Sequence, residues 1–410
     1  MKILVLNSGS SSQKACLYEV GATLPEHPPA CLWEGKIEFG GDTAAITVKN
    51  SHALVEREQV RIVSREDVVK RMLSTLVDGK TRALASLSEI DAVGHRVVHG
   101  GPHFAEPVVI TPEVRSAIAG VLPLAPLHIP AALEGMEIVE NILGAVPQVA
   151  VFDTGFYRRL PPPAAVYPGP YEWFESGIHR YGFHGISHEY CAKRAAQLLG
   201  SNPASLKLVT CHLGNGCSLS AIHGGHCVDT TMGFTPVDGL MMGTRSGAVD
   251  PGILTFLMRQ HQLDGEQIDQ ILNHKSGLLG ISGVSSDMRE ILVATQQGHE
   301  RAKLAFDIFV HRLQTAIGGM VAVLGGIDAL AFTAGVGENS PDVRAAACAP
   351  MGFLGLKLDN ELNRRPSLDA DISTADSGVR VLVIRAEEDW AIAAECWQLT
   401  RVFPSVSAAG

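Results

Sequence analysis

The chain opens with Lys2-Ile3-Leu4-Val5-Leu6-Asn7-Ser8-Gly9-Ser10-Ser11-Ser12-Gln13-Lys14, and this stretch decides the fold. The apolar run predicts a strand that ends at Asn7, and the chain resumes as a second strand over 15–18. The small residues between the strands expose backbone N–H groups and hydroxyls, which suit phosphate oxygens, with Lys14 at the far edge. An ordinary hairpin turn has the same composition, so the stretch alone leaves both interpretations open.

Length and composition predict a globular protein of two domains. The chain has 410 residues, of which 46% are hydrophobic and 19% charged. A chain of this length is too long to fold around one compact hydrophobic core. The net charge of −10 and the lack of a long basic run argue against nucleic acid as a partner. Eight cysteines without a Cys-x-x-Cys pair are typical of reduced thiols in a cytoplasmic protein. We expect no signal sequence and no membrane span.

Residue periodicity gives a coarse map of the secondary structure. Prolines at 161–163, 168 and 170 predict irregular structure, and we place the domain boundary near residue 153. The segment 333–339 is predicted to be a glycine loop between a strand and a helix, a geometry compatible with nucleotide binding. The predicted strands are 31–39, 44–49, 92–98, 148–152, 207–211, 219–222, 329–332 and 379–384, and the main predicted helices are 65–77, 132–142, 305–320 and one from about 390.

The second half of the chain repeats the opening pattern. The glycine turn His212-Leu213-Gly214-Asn215-Gly216 lies between two predicted strands, 205 residues after Asn7. Two strand–turn–strand units suggest a duplicated domain whose two phosphate loops face each other across a cleft. The similarity covers about a dozen residues, so coincidence remains an alternative.

Three glycine-rich strand ends in this order resemble the superfamily of acetate and sugar kinases, actin and heat-shock ATPases. They correspond to a first phosphate loop, a second phosphate loop and an adenosine loop. Finer motifs are similar to those of the acetate kinase family and follow its order from residue 7 to residue 339. They are Asn7-Ser8-Gly9-Ser10-Ser11-Ser12, Gly94-His95-Arg96-Val97-Val98-His99-Gly100-Gly101, Leu124-Ala125-Pro126-Leu127-His128, Phe152-Asp153-Thr154, Arg180-Tyr181-Gly182-Phe183-His184-Gly185, His212-Leu213-Gly214-Asn215-Gly216, Met232-Gly233-Phe234-Thr235-Pro236, Gly239-Leu240-Met241-Met242-Gly243-Thr244-Arg245-Ser246-Gly247 and Thr333-Ala334-Gly335-Val336-Gly337-Glu338-Asn339.

The resemblance implies an α/β fold of two duplicated ribonuclease-H-like domains, each with a mixed five-stranded sheet, and an interdomain cleft. Residues 1–152 with 386–410 would form one domain, and 153–385 the other, which would carry the interface of a homodimer. The implied reaction is reversible transfer of a phosphoryl group from ATP to acetate, giving acetyl phosphate and ADP by direct in-line transfer. It implies Mg2+ as cofactor, with Mn2+ as a substitute.

The resemblance also assigns roles to individual residues. Arg96 would hold the substrate carboxylate, because the guanidinium fork matches carboxylate oxygens in pairs. Arg245 and His184 would stabilise the moving phosphoryl group. Asp153 would orient acetate, which is already ionised at neutral pH because carboxyl groups titrate near ~4. Without the motifs, a surface ion pair would be favoured for each arginine and a hydrogen-bonded structural role for His184, and Asp153 would be interpreted as a helix or turn cap.

The remaining assignments concern the metal, the nucleotide and the acceptor pocket. Asn7 and Glu388 would bind the magnesium. A small apolar pocket would accept the methyl group of acetate, and it discriminates one methylene by only ~1–3 kcal/mol, so propionate is an alternative acceptor. The pocket residues are Val98, Leu127, Phe183 and Pro236, and the ATP groove is lined by Lys14, His212, Leu213, Gly214, Asn215, Gly216, Asp287, Met288, Arg289, Gly335, Val336, Gly337, Glu338 and Asn339.

Some positions depart from the family pattern. They are Ile129, Gly155, Tyr157, Ala248 and Arg385-Ala386. The last departure leaves Glu387 and Asp389 as alternatives to Glu388 for the metal. Two other functions remain open: a propionate kinase of the same family, and a non-catalytic nucleotide switch of the actin or chaperone type. A switch would need a partner-binding surface or an added domain, for which we expect no spare length.

Overall fold

A computed structural model of the chain describes residues 1–9, 12–126, 128–366 and 369–402. Leu127, a predicted pocket residue, and Ser10-Ser11 of the first loop therefore lie outside the described residues. The chain divides into two compact units, Met1–Gly155 with Glu387–Gly410, and Phe156–Ala386. In the ranges that the structure describes, no helix combines the length and the apolar character that a bilayer span requires.

The secondary structure is mixed throughout both units. The described strands are β1 (Lys2–Ser8), β2 (Ser12–Glu19), β3 (Trp33–Gly40), β4 (Thr43–Asn50), β5 (Val55–Arg61), β6 (Ala92–Val97), β7 (Val108–Val109), β8 (Gln148–Phe152), β9 (Lys207–Leu213), β10 (Cys217–His223), β11 (His226–Thr230), β12 (Ala329–Thr333), β13 (Ala370–Asp371) and β14 (Arg380–Val383). The described helices are α1 (Arg65–Ser74), α2 (Pro112–Gly120), α3 (Ile129–Leu143), α4 (Pro162–Ala165), α5 (Tyr171–Glu175), α6 (Gly185–Leu198), α7 (Pro251–Gln260), α8 (Gly265–His274), α9 (Gly277–Ser282), α10 (Met288–Gln296), α11 (Glu300–Leu324), α12 (Ala334–Asn339), α13 (Pro341–Cys348), α14 (Asn360–Arg364) and α15 (Glu388–Val402), with 3₁₀ turns at Leu87–Glu89, Leu122–Leu124, Gly155–Tyr157 and Ala349–Leu354.

The first unit is built on an eight-stranded sheet in the order β5-β4-β3-β2-β1-β6-β8-β7. Strand β1 pairs antiparallel with β2 and parallel with β6, which in turn pairs parallel with β8. Residues 3–6 of β1 are buried without alternation, because the central strand of a sheet with helices on both faces needs apolar side chains on each. Side chains of α1 and α3 pack against one face, and α15 packs against β6 and β1.

The second unit repeats the central part of this topology. Its six-stranded sheet has the order β11-β10-β9-β12-β14-β13. The first five of these strands have two antiparallel pairs followed by two parallel pairs, as in β3-β2-β1-β6-β8. Strands β9 and β10 begin 205 residues after β1 and β2 respectively. The duplicated α/β fold predicted from the sequence is therefore confirmed.

The predicted size of the sheets is wrong. Each has the expected five-stranded core, but β4, β5 and β7 extend the first sheet and β13 extends the second. Strands β7 and β13 have only two residues each, and β5 reads Val-Glu-Arg-Glu-Gln-Val-Arg with mostly exposed side chains. Such edge strands lack the alternation of apolar and polar residues that identifies a strand from sequence.

Two predictions of irregular structure are also wrong. The proline-rich segment contains α4, which has Pro162 in its first turn, and α5 begins after Pro170. Proline has no N–H and a φ suited to a helix, so it is accepted at these positions. The predicted loop 333–339 is largely helical as α12, which Thr333 precedes in an extended conformation. Ala334, the first residue of that helix, has a left-handed φ of 65°.

Gly94 allows α15 to approach β6 closely. A Cβ added at Gly94 would lie 2.5 Å from Ile392 Cγ2 and 2.6 Å from Cys396 Sγ, both on α15. We therefore expect Gly94→Ala to lower the free energy of unfolding by about 1–3 kcal/mol through overpacking. Urea denaturation measures the change.

Gly120→Ala is the matched control, because a Cβ at Gly120, the last residue of α2, would meet nothing within 4 Å. We expect it to leave the urea midpoint unchanged or to raise it slightly. A midpoint for Gly94→Ala equal to that of the control would contradict the close packing of α15 on β6.

Candidate active site

In the first unit, three predicted site residues meet at the carboxyl ends of neighbouring strands. Arg96 of β6 donates from Nε to both carboxylate oxygens of Asp153 at 3.1 Å and from Nη2 to Oδ2 at 2.5 Å. Asp153 directly follows β8, which runs parallel to β6. Asn7 of β1 lies beside them, with its Oδ1 3.4 Å from Arg96 Nη1. Parallel strands end at one edge of the sheet, and ligands bind at such edges in α/β folds.

The charge of Arg96 is stabilised by its neighbours. Burial lowers the pKa of its guanidinium, but Asp153 and then Glu388 and Asp389 outweigh burial and raise that pKa above its ordinary value. The Asp153 side chain is 1% exposed and the Arg96 side chain 19% exposed. A buried carboxylate paired in this way fixes the orientation of the guanidinium. Asp153 belongs to the compact unit that contains Arg96, although the predicted boundary assigned it to the second domain.

The start of α15 places two acidic side chains near Arg96. Asp389 Oδ2 accepts a hydrogen bond from Cys16 Sγ at 3.4 Å. Burial and then the charge of Glu388 raise the pKa of Asp389, while Cys16, Lys14 and Arg96 act in the opposite direction. Because the negative charges of Asp389 and Glu388 repel each other, a cation bound near both would be stabilised.

These oxygen donors fit a magnesium site that is completed by phosphates. Within the described ranges, no three His, Cys, Asp or Glu side chains converge as a metal-binding group. Mg2+ usually keeps several waters and takes only one or two protein carboxylates together with substrate phosphates. The amide oxygen of Asn7 and the carboxylate of Glu388 or Asp389 are donors of the preferred type. Lys14 is exposed on β2, and its positive charge acts to lower the pKa of Asp389.

In the second unit, the glycine turn between β9 and β10 brings another set of predicted residues together. Gly214 N donates to Gly216 O at 2.9 Å, and Gly243 N donates to Asn215 O at 3.1 Å. The rings of His184 and His212 stack with centroids 4.1 Å apart. The turn, both histidines and the segment that contains Gly243 therefore form one group.

Arg245 belongs to this group as a half-buried cation. A Cβ added at Gly216 would lie 3.3 Å from His184 Nε2 and 3.5 Å from Arg245 Nη1, so both side chains border the same space. Burial lowers the pKa of Arg245, and only Cys217 acts in the opposite direction. Among the described residues, Arg245 has no carboxylate within ion-pair distance, and its Nη1 donates to Pro236 O at 3.3 Å. A half-buried guanidinium without a carboxylate partner favours a bound anion.

His184 has a strained backbone that its surroundings maintain. Its φ of 57° is left-handed, which is uncommon for a residue with a side chain. Tyr157 OH donates to Phe183 O at 2.5 Å, and the Tyr157 ring lies against Gly182, where a Cβ would be 2.5 Å from Cγ. The sequence analysis noted Tyr157 only as a departure from the family pattern, and no sequence signal predicted that it supports His184.

The predicted nucleotide segments lie on two further helices of the second unit. Asp287 caps α10 by accepting from Arg289 N at 2.8 Å, and the Arg289 side chain is exposed. The Arg289 hydrogen bond is the main cause of the lowered pKa of Asp287. Met288 is 3% exposed, so its side chain belongs to the core. Residues 335–339 lie on α12, and Glu338 Oε1 accepts from Ala386 N at 2.8 Å.

Arg344 is a structural residue that the sequence analysis missed. It is fully buried and donates from Nη1 to the carbonyls of Gly337 and Glu338 at 2.8 Å. Its Nε donates to Asn363 Oδ1 at 2.8 Å. Burial lowers its pKa to about 10. Arg344 thus satisfies carbonyls at the end of α12, six and seven residues before it in the sequence.

The predicted methyl-pocket residues are divided between the units. Val98 is half-buried in the first unit, and Phe183 and Pro236 are buried and half-buried in the second. Of the departures, Ile129 is a fully buried core residue, and a Cβ at Gly155 would lie 2.9 Å from Ala105 O. These two departures are therefore explained by packing in the first unit.

Tyr157→Phe tests the support of His184. The change removes the hydrogen bond to Phe183 O, and we expect the free energy of unfolding to fall by about 1 kcal/mol. Hydrogen exchange of the His188 amide, which donates to His184 O at 3.0 Å, should become faster. The control Tyr171→Phe alters a side chain that is 65% exposed and should change neither quantity. Equal exchange in both variants would argue against the supporting role.

Known proteins that are similar to this chain include acetate kinases and a propionate kinase. The model of the acetokinase family matches residues 2–394. An acetate kinase of Trichormus variabilis is 59% identical over 403 residues, which cover 97% of this chain and 99% of that protein. Crystal structures of Porphyromonas gingivalis acetate kinase and a Francisella tularensis propionate kinase share 41% and 37% identity, with TM-scores of 0.90 and 0.88, and each comparison covers 97% of this chain and 99% of the other. The resemblance drawn from the motifs is confirmed, and the chain belongs to the acetokinase family.

Proposed function

We propose that this chain is an acetate kinase that transfers a phosphoryl group reversibly from ATP to acetate, giving acetyl phosphate and ADP. The observation that carries the proposal is Arg245, a half-buried cation without a carboxylate partner among the described residues, which borders the same space as His184 at the glycine turn. The names of the relatives support acetate as the acceptor.

Phosphoryl transfer requires positioning and positive charge more than covalent chemistry. The transition state spreads negative charge over three equatorial oxygens while the attacking and leaving oxygens stay in line. Arg245 and His184 would donate to these oxygens, and the short side chains of residues 214–216 leave room for them. Donors already fixed in a partly buried site need no reorganisation during the reaction.

Arg96 would bind the acetate carboxylate in the first unit. Asp153 holds Nε and Nη2 of Arg96, which fixes the plane of the guanidinium. Acetate is ionised at neutral pH, since carboxyl groups titrate near ~4, so its attacking oxygen needs no general base. Asp153 therefore orients Arg96 and acetate rather than removing a proton.

Asn7 and Glu388, with Asp389 as an alternative, would hold Mg2+ or Mn2+, which supplies positive charge to the phosphates of the nucleotide. The nucleotide itself would lie along 212–216, the start of α10 and the residues of α12. We propose that two functional domains correspond to the predicted 1–152 with 386–410 and 153–385, with Asp153 at the boundary acting together with Arg96 of the first.

We further propose a cytoplasmic homodimer. All eight cysteines are free thiols, as expected in a reducing compartment. Helix α7 of the second unit exposes Ile253, Phe256 and Met258 at 48%, 57% and 45%. A cluster of exposed apolar side chains is typical of a subunit interface.

Propionate kinase is the second candidate function, because one solved relative bears that name. The two reactions differ by one methylene in the acceptor. An apolar pocket discriminates such substrates by about 1–3 kcal/mol.

The direct test is acyl phosphate formation by the purified protein. The protein is incubated with ATP, Mg2+ and acetate, and hydroxylamine traps the product as acetyl hydroxamate. We expect product with acetate and a ratio of kcat/KM for acetate over propionate above one. A ratio well below one would assign the chain to propionate. ATP hydrolysis that is equal with and without acetate, together with no hydroxamate, would overturn the kinase and favour a nucleotide switch.

We expect substitution of Arg96 and of Arg245 to change different kinetic parameters. We expect Arg96→Ala to raise KM for acetate strongly, and Arg245→Ala to lower kcat by roughly 10²–10³, because it removes a donor used in the transition state. Steady-state kinetics with both substrates separates these effects. Arg71→Ala is the control, since Arg71 forms a surface ion pair with Glu58 at 2.9 Å and should leave both parameters unchanged. The reverse pattern would overturn the assigned roles.

A further inference from the structure

Behind His184, three buried side chains of the second unit form a continuous line of hydrogen bonds. Ser218 Oγ of β10 lies 2.9 Å from His184 Nδ1 and 2.8 Å from His188 Nε2. His188 Nδ1, in α6, lies 2.6 Å from Thr210 Oγ1 of β9. Ser218, His188 and Thr210 are each fully buried. We name these three residues the serine–histidine relay.

We propose that the serine–histidine relay positions the proton of His184 on Nε2 and keeps that histidine neutral, so that Nε2–H donates to the transferring phosphoryl group. The proposal rests on the proposed function. It makes Thr210 and His188 positioning residues for the reaction, although neither lies at the phosphoryl group.

The direction of the relay follows from counting donors and acceptors. Burial and then the charge of His212 lower the pKa of His188 well below its ordinary value. His188 is therefore neutral and carries one ring proton. The hydroxyl of Thr210 has His188 Nδ1 as its only hydrogen-bond partner among the described residues. A fully buried hydroxyl must place its hydrogen on an acceptor, because an unsatisfied buried donor is costly.

Only one arrangement of protons satisfies every group. Thr210 donates to His188 Nδ1, so the proton of His188 is on Nε2 and is donated to Ser218 Oγ. The hydroxyl of Ser218 then donates to His184 Nδ1. His184 Nδ1 is thus an acceptor, and its proton is on Nε2.

The opposite placement of protons along the relay leaves one hydroxyl unsatisfied, and this is why the relay keeps His184 neutral. If His184 carried a proton on Nδ1, Ser218 would accept it and would donate its own hydrogen to His188 Nε2. His188 would then donate from Nδ1 to Thr210, and the hydroxyl hydrogen of Thr210 would lose its acceptor. The imidazolium form of His184 has the same requirement, so the relay disfavours it.

The proton placement suits the surroundings of His184 Nε2. This atom borders the space at Gly216 that Arg245 Nη1 also borders. A neutral histidine beside that guanidinium donates a hydrogen bond without adding a second positive charge. The left-handed backbone of His184 and its stacking on His212 hold the ring in this orientation.

Thr210→Val tests the relay with little change of shape. It removes the donor that sets the direction, so the two proton arrangements become closer in energy. We expect kcat to fall about tenfold, with KM for ATP and acetate changed less than about twofold. Thr210→Ser should restore kcat because it restores the hydroxyl. Thr81→Val is the control, since Thr81 is fully buried and its hydroxyl has no partner among the described residues.

Nitrogen-15 spectra of the histidine-labelled full chain give a readout that a purely structural role would not change. In the wild-type protein we expect His184 Nδ1 to resonate as an unprotonated nitrogen and Nε2 as a protonated one, and in Thr210→Val we expect the two signals to move towards each other. A protonated Nδ1 in the wild type, or an unchanged kcat in Thr210→Val, would overturn the relay. If Nδ1 is protonated but the protein still forms acetyl hydroxamate, the relay is wrong and the kinase function is retained. If the spectrum is as expected but no acyl phosphate forms, the kinase function is wrong and the proton placement is retained.

Discussion

The positive charge of Arg245 is the constraint on which the second unit depends. A guanidinium removed from water is costly unless an anion compensates it. The described residues supply carbonyl and thioether contacts to Arg245 but no carboxylate. The glycine turn leaves the space beside Nη1 clear of side chains, and the segment that carries Arg245 is tied to the turn by the hydrogen bond from Gly243 N to Asn215 O. In the proposed function, a bound phosphate would supply this compensation.

In the first unit, by contrast, the arginine has a carboxylate partner within the protein. Arg96 has a buried carboxylate partner, so its charge is compensated within the protein and its orientation is fixed. A monovalent acetate needs a geometric template more than a large excess of charge, whereas a phosphoryl group in transfer needs charge. In the proposed function, Arg96 would therefore serve acetate and Arg245 the phosphoryl group, and Asp153 would account for the difference.

The sequence predicted the parts of this protein that depend on local pattern. The hairpins β1-β2 and β9-β10, the strand Gln148–Phe152 and the residues of the glycine turn all follow from runs of apolar and small residues. The supporting residues Tyr157, His188 and Thr210 could not be predicted, because each acts through contacts between segments that are distant in sequence. Arg344 was also missed, because the local pattern does not show that its side chain is buried against carbonyls six and seven residues earlier. The register of β9 against β10 brings Thr210 opposite Ser220, and no pattern within either strand reveals which hydroxyls face a histidine. The exposed strand β5 was missed for a related reason, since it pairs at a sheet edge without burying an apolar face.

The two duplicated hairpins differ in the length of their turns. Ser8 pairs with Gln13 in the first hairpin, whereas Leu213 pairs with Cys217 in the second, so the second turn is one residue shorter. The short turn folds back on itself through Gly214 N and Gly216 O, which leaves Asn215 O to hold the Arg245 segment. In the first unit the equivalent edge is occupied by Asn7 and the pair of Arg96 and Asp153. In the proposed function, the shorter second turn and the different partners of the two arginines would distinguish the unit that binds phosphate from the unit that binds a carboxylate.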